Sequence, residues 1–319
     1  MEYMIEVRGL KIHYGDVVAV DDLNFSVKTG SIFGLIGPNG AGKTSAIKAI
    51  ATLLEPTLGE IMVNETSALH QPEKARKIFG YMPDFPPVYE NLKIWEFCDL
   101  FAHAYGIQGE QRKAMVLQSL EDTGLKAQMN AKCRTLSRGM RQRALLAKTL
   151  VHDPEVLLLD EPAANLDPKS RIELRNILKK LAQNGKTILL SSHVLSEIED
   201  TCDTIGFMKD GKMALSGTVG EISRQNKHSS LLKIDLSRPD PNLFQIIGEI
   251  PILSEFQKIG TGNTQFRATM NGGDAEATDI LGKLVKAGLP VSGFTCKRPS
   301  VEEIFLEIES HNLVERKTE

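Results

Sequence analysis

Short apolar runs separated by amphipathic segments dominate the first 222 residues of the chain. The runs are too short for helices and predict buried strands, whereas the segments between them have helical spacing. Strands that alternate with helices indicate an α/β layer fold, in which ligands bind at the carboxyl ends of the strands. The predicted strands are Ile5–Val7, Leu23–Val27, Ser31–Ile36, Ile61–Val63, Val156–Asp160, Thr187–Ser191 and Thr204–Met208.

The pattern changes between Pro83 and Pro154, where no strand-like run appears. Apolar residues recur there about three or four positions apart, which is the spacing of a helix face. We therefore predict that residues 85–153 form a helical insertion in the α/β domain. The apolar positions are Ile94, Phe97, Cys98, Phe101, Ala104 and Tyr105, followed by Leu117, Leu120 and Leu125.

A polar segment, residues 223–229, separates residues 1–222 from a second predicted domain over residues 230–319. The second domain has the predicted order strand, helix, strand, strand, helix, strand and a last helix, which opens with a capping box at Ser300. This order favours a small α+β domain of the ferredoxin-like type. Its predicted elements are Leu231–Leu236, Pro241–Ile247, Leu253–Ile259, Thr264–Met270, Ala275–Ala287, Val291–Lys297 and Ser300–Ile308.

The composition is that of a globular protein of 319 residues, with 41% hydrophobic and 25% charged residues. The net charge of −3 indicates no bulk attraction to nucleic acid or to anionic lipid. No signal peptide and no apolar stretch of about 18 residues is apparent, so we expect any membrane role to need a separate partner chain. The four scattered cysteines suit reduced thiols in a cytosol.

A glycine-rich turn joins the apolar run Ser31–Ile36 to a helical segment that begins near Ser45. It reads Gly37-Pro38-Asn39-Gly40-Ala41-Gly42-Lys43-Thr44 and fits the phosphate-binding pattern G-x-x-x-x-G-K-[ST]. Backbone N–H groups of such a loop, together with the helix N-terminus, bind phosphate oxygens, so residues 37–44 and Ser45 are predicted to bind ATP. Lys43 is expected to reach the β- and γ-phosphates of a nucleotide, and the Thr44 hydroxyl to ligate Mg²⁺. A chance glycine-rich turn would not place lysine and threonine in this register.

A phosphate loop alone does not separate kinases, GTPases and ATPases, but the strand over 156–160 adds two carboxylates. It ends in Asp160, which is placed to hold the metal ion beside the loop, directly or through water. Glu161 follows and is placed to polarise an attacking water molecule. The alternative, a buried strand that ends in two solvated acids, does not account for the phosphate loop.

Residues 136–143 read Leu-Ser-Arg-Gly-Met-Arg-Gln-Arg. This stretch resembles the LSGGQ signature of the ATP-binding subunits of ABC transporters, although Arg138 and Met140 depart from its commonest form. Ser137 is a predicted N-cap of a helix. The resemblance implies that Ser137 and Gly139 face the γ-phosphate bound by an opposite subunit. In isolation an ordinary capped basic helix would be the simpler interpretation, but the stretch precedes Asp160 at family spacing.

Three further positions match the same family and take their implied roles from the resemblance. His193, after the strand Thr187–Ser191, matches the switch histidine that contacts the γ-phosphate, and it is identified with Lys43 and Glu161 as catalytic. Asp167 matches the D-loop that shapes the opposing phosphate loop. Tyr14 occupies the position of an aromatic ring that stacks on adenine. The other six histidines are interpreted as ordinary surface or core residues.

One position departs from the family in a way that affects the chemistry. The family supplies a glutamine after a stretch that matches Gly80–Pro83, and this chain has Asp84 there. An ionised carboxylate only accepts hydrogen bonds and is one carbon shorter. Asp84 is therefore a candidate third metal-site residue beside Thr44 and Asp160, holding a metal-bound water. It cannot donate an amide N–H to the attacking water.

The resemblance covers residues 1–222 and predicts a P-loop NTPase fold of the ABC cassette type. It implies an ATPase subunit that uses ATP and Mg²⁺, pairs head to tail with a second copy, and drives an integral-membrane permease at the inner face of the cell membrane. Asp84 and the extra domain resemble exporter-type bacterial systems.

Two alternatives stay open at this point. One is a soluble ABC ATPase that acts on nucleic acid or ribosomes, which the single cassette and the lack of basic excess disfavour. The other is a C-terminal domain that senses a small ligand.

Overall fold

The computed structural model describes residues 2–84, 87–194, 198–218, 220–222, 230–259 and 262–297. Its contacts divide the chain into two compact units, Met1–Val219 and Gly220–Glu319. The first unit contains β1 (Tyr3–Tyr14), β2 (Val17–Lys28), β3 (Ile32–Ile36), α1 (Lys43–Ile50), β4 (Leu58–Val63), β5 (Thr66–Ser67), α2 (Pro72–Ile78), β6 (Phe79–Met82), α3 (Ile94–Ala104), α4 (Gly109–Asp122), α5 (Arg138–Leu150), β7 (Val156–Leu159), α6 (Pro168–Gln183), β8 (Thr187–Ser192), β9 (Thr204–Lys209) and β10 (Lys212–Thr218).

Two sheets make up the first unit. The smaller sheet has the order β2-β1-β4-β5 and is antiparallel. The larger sheet has the order β10-β9-β3-β8-β7-β6, in which β10 alone runs antiparallel to its neighbour. One continuous core joins the sheets, with buried residues such as Val7, Phe33, Ile47 and Leu158. The predicted α/β cassette fold is confirmed.

The parallel strands explain where the site lies. Every residue of β3, β7 and β8 is buried, as expected for strands covered on both faces. Their carboxyl ends lie at one edge of the larger sheet. There Ile36 leads into the phosphate loop, Leu159 into Asp160, and Ser192 into His193.

The helices α3, α4 and α5 fill the region predicted as a helical insertion and pack on one another. On α3, Ile94, Phe97 and Cys98 are fully buried, as predicted, whereas Tyr105 and Leu117, which were predicted on the same apolar face, are exposed. No helix in the described ranges is both long and apolar enough to cross a bilayer.

The second unit has the strand and helix order that the sequence predicts. Its sheet is antiparallel with the order β12-β13-β11-β14, and both helices follow a strand, which is the ferredoxin-like arrangement. Its own core includes Leu232, Ile234, Phe266 and Ile280. The predicted last helix over Ser300–Ile308 lies outside the described residues. The elements are β11 (Ser230–Leu236), α7 (Asn242–Gly248), β12 (Leu253–Ile259), β13 (Gln265–Met270), α8 (Asp274–Lys286) and β14 (Val291–Lys297).

Candidate functional site

The phosphate loop connects β3 to α1, which begins at Lys43. Gly42 has a φ of +99°, and a Cβ there would lie 2.3 Å from the Ala19 carbonyl oxygen, so only glycine fits. Lys43 Nζ donates hydrogen bonds to the carbonyl oxygens of Gly37 at 2.7 Å and Pro38 at 3.1 Å. The loop thus presents one buried ammonium group together with the N-terminus of a helix, which is the arrangement that binds phosphate.

Asp160 is buried at the end of β7 and joins two other elements. Its Oδ1 accepts hydrogen bonds from Thr44 Oγ1 at 3.1 Å and from Ser191 Oγ at 2.6 Å. A hydroxyl and a carboxylate at the edge of a phosphate loop form a set of hard oxygen donors, which suits Mg²⁺ held jointly with nucleotide phosphates and water. Thr44 and Asp160 therefore fit the predicted metal site.

Glu161 adopts a left-handed backbone conformation, with a φ of +48°. Such a conformation costs a non-glycine residue about 1–3 kcal/mol and is concentrated at functional sites. The Glu161 N–H donates to Ser191 Oγ at 3.0 Å, which anchors this turn. The turn directs the Glu161 carboxylate towards the phosphate loop.

The Glu161 carboxylate contacts both other residues predicted to be catalytic. Its Oε2 lies 2.8 Å from His193 Nδ1, and its Oε1 lies 3.8 Å from Lys43 Nζ. Burial lowers the pKa of Lys43, and the charges of Glu161 and Asp160 oppose that shift. Glu161, His193 and Lys43 thus form one connected group.

A cavity of about 540 Å³ lies over the phosphate loop. Asp84 lines it. Burial raises the pKa of Asp84, the charges of Asp160 and Glu161 raise it further, and the charge of His193 lowers it. Tyr14 is exposed, and its hydroxyl donates to Ser45 Oγ at 3.3 Å. The cavity is lined by Ala19, Asn39, Gly40, Ala41, Gly42, Lys43, Thr44, Ser45, Asp84, Glu161, Ala164, Asn165 and His193.

The remaining predicted residues lie at the starts of α5 and α6. Ser137 caps α5 by accepting a hydrogen bond from the Met140 N–H at 3.2 Å. Gly139 is buried, and a Cβ there would lie 2.2 Å from Ser170 Oγ. Ser170 Oγ in turn donates to Asp167 Oδ1 at 2.6 Å. Ser137, Gly139 and Asp167 are not among the described residues that line the cavity over the phosphate loop.

Three residues that hold these parts together were not predicted from the sequence. Ser191 bridges Asp160 and Glu161, and Ser170 joins Gly139 to Asp167. Gln142 Nε2 donates to the Pro162 carbonyl oxygen at 2.7 Å, which ties α5 to the turn after Glu161. The one sequence signal for Ser191 is a hydroxyl at the carboxyl end of a buried strand.

Comparison with known proteins identifies the family. The family model described as ABC transporter matches residues 20–164. The bacitracin transport ATP-binding protein BcrA of Enterococcus faecalis is 37% identical over 71% of this chain and 73% of its own length. The Nod factor export ATP-binding protein I of Burkholderia orbicola is 34% identical over 74% of this chain and 77% of its own length. The chain belongs to the ATP-binding proteins of ABC transporters.

Solved structures agree with this membership. A structure of the ATP binding subunit of an ABC transporter has a TM-score of 0.62 and 32% identity, and it covers 70% of this chain and 93% of its own. A dimeric ATP-binding cassette bound to ADP and phosphate has a TM-score of 0.60 and 26% identity over 67% of this chain and 98% of its own. The predicted family, cassette fold and ATPase class are confirmed.

Another relative is longer than this chain. The probable multidrug ABC transporter ATP-binding protein YbhF of Escherichia coli is 35% identical over 76% of this chain but only 41% of its own length. This chain therefore spans about two fifths of that relative.

Proposed function

We propose that this chain hydrolyses ATP to power a separate membrane permease, in the direction of export. The observation that carries the proposal is the connected group of Lys43, Glu161 and His193 beside the pair of Thr44 and Asp160. The names of the relatives, which include export and multidrug proteins, support export. They also favour transport over the alternative of a soluble ATPase that acts on nucleic acid or ribosomes.

The chemistry follows from the positions of the side chains. Lys43 and the loop N–H groups bind the β- and γ-phosphates, and Glu161 accepts a proton from the attacking water as general base. His193 holds the Glu161 carboxylate through the 2.8 Å contact at Nδ1. When Mg²⁺ is bound, it neutralises charge that develops on the phosphates, and Thr44 and Asp160 would hold it.

The separate position of Ser137, Gly139 and Asp167 supports a head-to-tail dimer. The N-terminus of a helix presents backbone N–H groups to an anion. In this chain the start of α5 does not border the cavity over its own phosphate loop. We infer that it completes the nucleotide site of a second copy, so that two chains form two composite sites.

We place the permease contact beside the helical insertion, near Phe85, Val88, Tyr89 and Trp95. Phe85 lies outside the described residues. Tyr89 is 55% exposed although its ring centroid is 6.1 Å from that of Phe97, so a supported aromatic ring faces solvent. Exposed aromatic rings are enriched at protein interfaces.

The segment follows Asp84, which connects it to the nucleotide site. The chain would then lie at the inner face of the cell membrane.

The substitution Tyr89→Glu tests this contact. We expect it to reduce co-purification with a polytopic membrane partner at least about tenfold, because burying an unpaired charge in an interface is costly. ATP hydrolysis by the isolated chain should stay within about twofold, as is usual for an exposed position away from the site. Leu117→Glu is the matched control, since it adds the same charge at an exposed position on α4. Unchanged co-purification of the Tyr89 variant would contradict the proposed contact.

We propose that residues 230–319 hold two ATPase subunits together between closure events. The second unit has its own core, and no other strand among the described residues pairs with the outer edges of β12 and β14. Such edges can pair with another chain. Tethering two cassettes raises their effective concentration. A domain that senses a small ligand is the competing proposal.

Truncation after Ile222 tests whether residues 230–319 contribute to self-association of the chain. We expect the truncated chain to self-associate at least about tenfold more weakly without ATP, which is within the range that linkage provides. Analytical ultracentrifugation of both forms measures this difference. Equal self-association of the two forms would contradict the tether.

A further inference from the structure

Two residues that depart from the family pattern line the same cavity. A cavity of about 470 Å³ lies beside the start of α5, and both Asp84 and Arg138 border it. Asp84 also borders the cavity over the phosphate loop. Among the described lining residues, Asp84 and Ala164 alone belong to both cavities. Asp84 therefore stands between the nucleotide site and the helix that carries the signature residues.

One oxygen of the Asp84 carboxylate has no hydrogen-bond donor among the described residues. This oxygen, Oδ1, is also buried from solvent. A buried polar atom without a partner costs about 1–3 kcal/mol. Of the charged groups of the nucleotide site, the carboxylates of Asp160 and Glu161 repel Asp84, whereas His193 attracts it but already contacts Glu161 at 2.8 Å. The structure therefore favours a cationic donor that approaches Asp84 from the second cavity.

Arg138 borders the second cavity and can provide this donor. It is the first residue of α5, its side chain is exposed, and no ion pair joins it to any described acid. The backbone beside it is fixed, because Ser170 packs against Gly139 without room for a Cβ. A guanidinium offers five N–H donors on a long side chain, and it stays charged at every physiological pH.

Arg141 borders the same cavity but has a different partner. Its Nη2 lies 3.7 Å from Glu90 Oε1, at an exposed ion pair. It lies on the same helix and carries the same charge as Arg138. Arg141 therefore serves as a matched control for any effect of charge alone.

We propose that Arg138 reaches across this cavity and pairs with Asp84 Oδ1 of the same chain. The pair supplies the missing donor and ties the start of α5 to the end of β6, where the chain enters the nucleotide site. Arg138 is then a positioning residue for the ATP hydrolysis on which this inference rests. The arginine in the signature and the acid that replaces glutamine act together as one interaction.

A double-mutant cycle tests the pair in the full chain. Arg138→Gln alone is expected to lower kcat about five- to tenfold, a change within the range of coupling between contacting residues. In a chain that already carries Asp84→Asn, the same substitution should change kcat by less than about twofold. Arg138→Lys should recover most of the activity, because it keeps the charge. Arg141→Gln should stay within about twofold, the usual size for an exposed ion pair.

The competing role for Arg138 is a direct contact with the nucleotide of a second copy. In that case Arg138→Gln would lower kcat by the same factor with and without Asp84→Asn, and this result would overturn the proposed pair. The same cycle is measured on the dissociation constant of a non-hydrolysed ATP analogue. In a chain that already carries Asp84→Asn, Arg138→Gln should change this constant by less than about twofold. Independent effects on affinity would contradict the pair. Absence of hydrolysis by the unmodified chain would contradict the ATPase function, and the affinity cycle would still decide on the pair.

Discussion

Replacing Glu161 with glutamine is expected to lower kcat for ATP hydrolysis by about 10²–10⁴-fold while ATP binding is preserved, because a general base is lost. Glutamine keeps the shape of the side chain but cannot accept a proton from water at neutral pH. It also removes a negative charge 3.8 Å from Lys43 Nζ, so ATP should bind at least as tightly as before. A closed dimer with ATP bound should accumulate, visible by size-exclusion chromatography.

Glu155→Gln is the matched control for this experiment. Glu155 precedes β7, whereas Glu161 follows it, and its carboxylate accepts a hydrogen bond from Asn64 at 3.2 Å. The same chemical change at that end of the strand should leave kcat within about twofold, since it is an exposed position away from the site. If Glu161→Gln turned over ATP within a few-fold of the unmodified chain, Glu161 would not be the general base.

Lys43→Ala and Ser137→Arg are each expected to abolish hydrolysis, but through different steps. Lys43→Ala removes the buried ammonium group that contacts the Gly37 and Pro38 carbonyl oxygens, so ATP affinity should fall together with kcat. Ser137→Arg removes the cap of α5, at a typical cost of about 1 kcal/mol, and places a bulky side chain at the start of this helix. ATP should then still bind to the phosphate loop, and only turnover should be lost. Equilibrium binding of a fluorescent ATP analogue separates these two outcomes.

The phosphate loop and the residues Asp160 and Glu161 could be predicted because their spacing is local in the sequence. A strand, a glycine-rich turn and a lysine at the start of a helix follow one another without interruption. Ser191 could not be predicted, since its role depends on β7 and β8 being neighbours in the sheet. The same holds for Ser170, which meets Gly139 only once α5 and α6 have packed.

The strands β5, β6 and β10 could not be predicted, each for its own reason, and β5 has only two residues. β6 has only four residues and follows α2 directly, so its apolar residues resemble the end of a helix. β10 lies at the edge of its sheet, and its residues alternate between exposed and half-buried positions without an apolar run. By contrast, the alternation in β11 is regular enough to predict that strand.

The central claim is that the phosphate loop of one copy and the start of α5 of another form one ATP site. It is tested most directly by ATP hydrolysis in mixtures of the Lys43→Ala and Ser137→Arg chains. A mixed dimer contains one site with both defects and one site with neither. Composite sites therefore predict that two inactive preparations regain activity when mixed, up to about one quarter of the unmodified level if the chains pair at random. Mixtures that stay inactive although mixed dimers are demonstrated by differential tagging would contradict the claim.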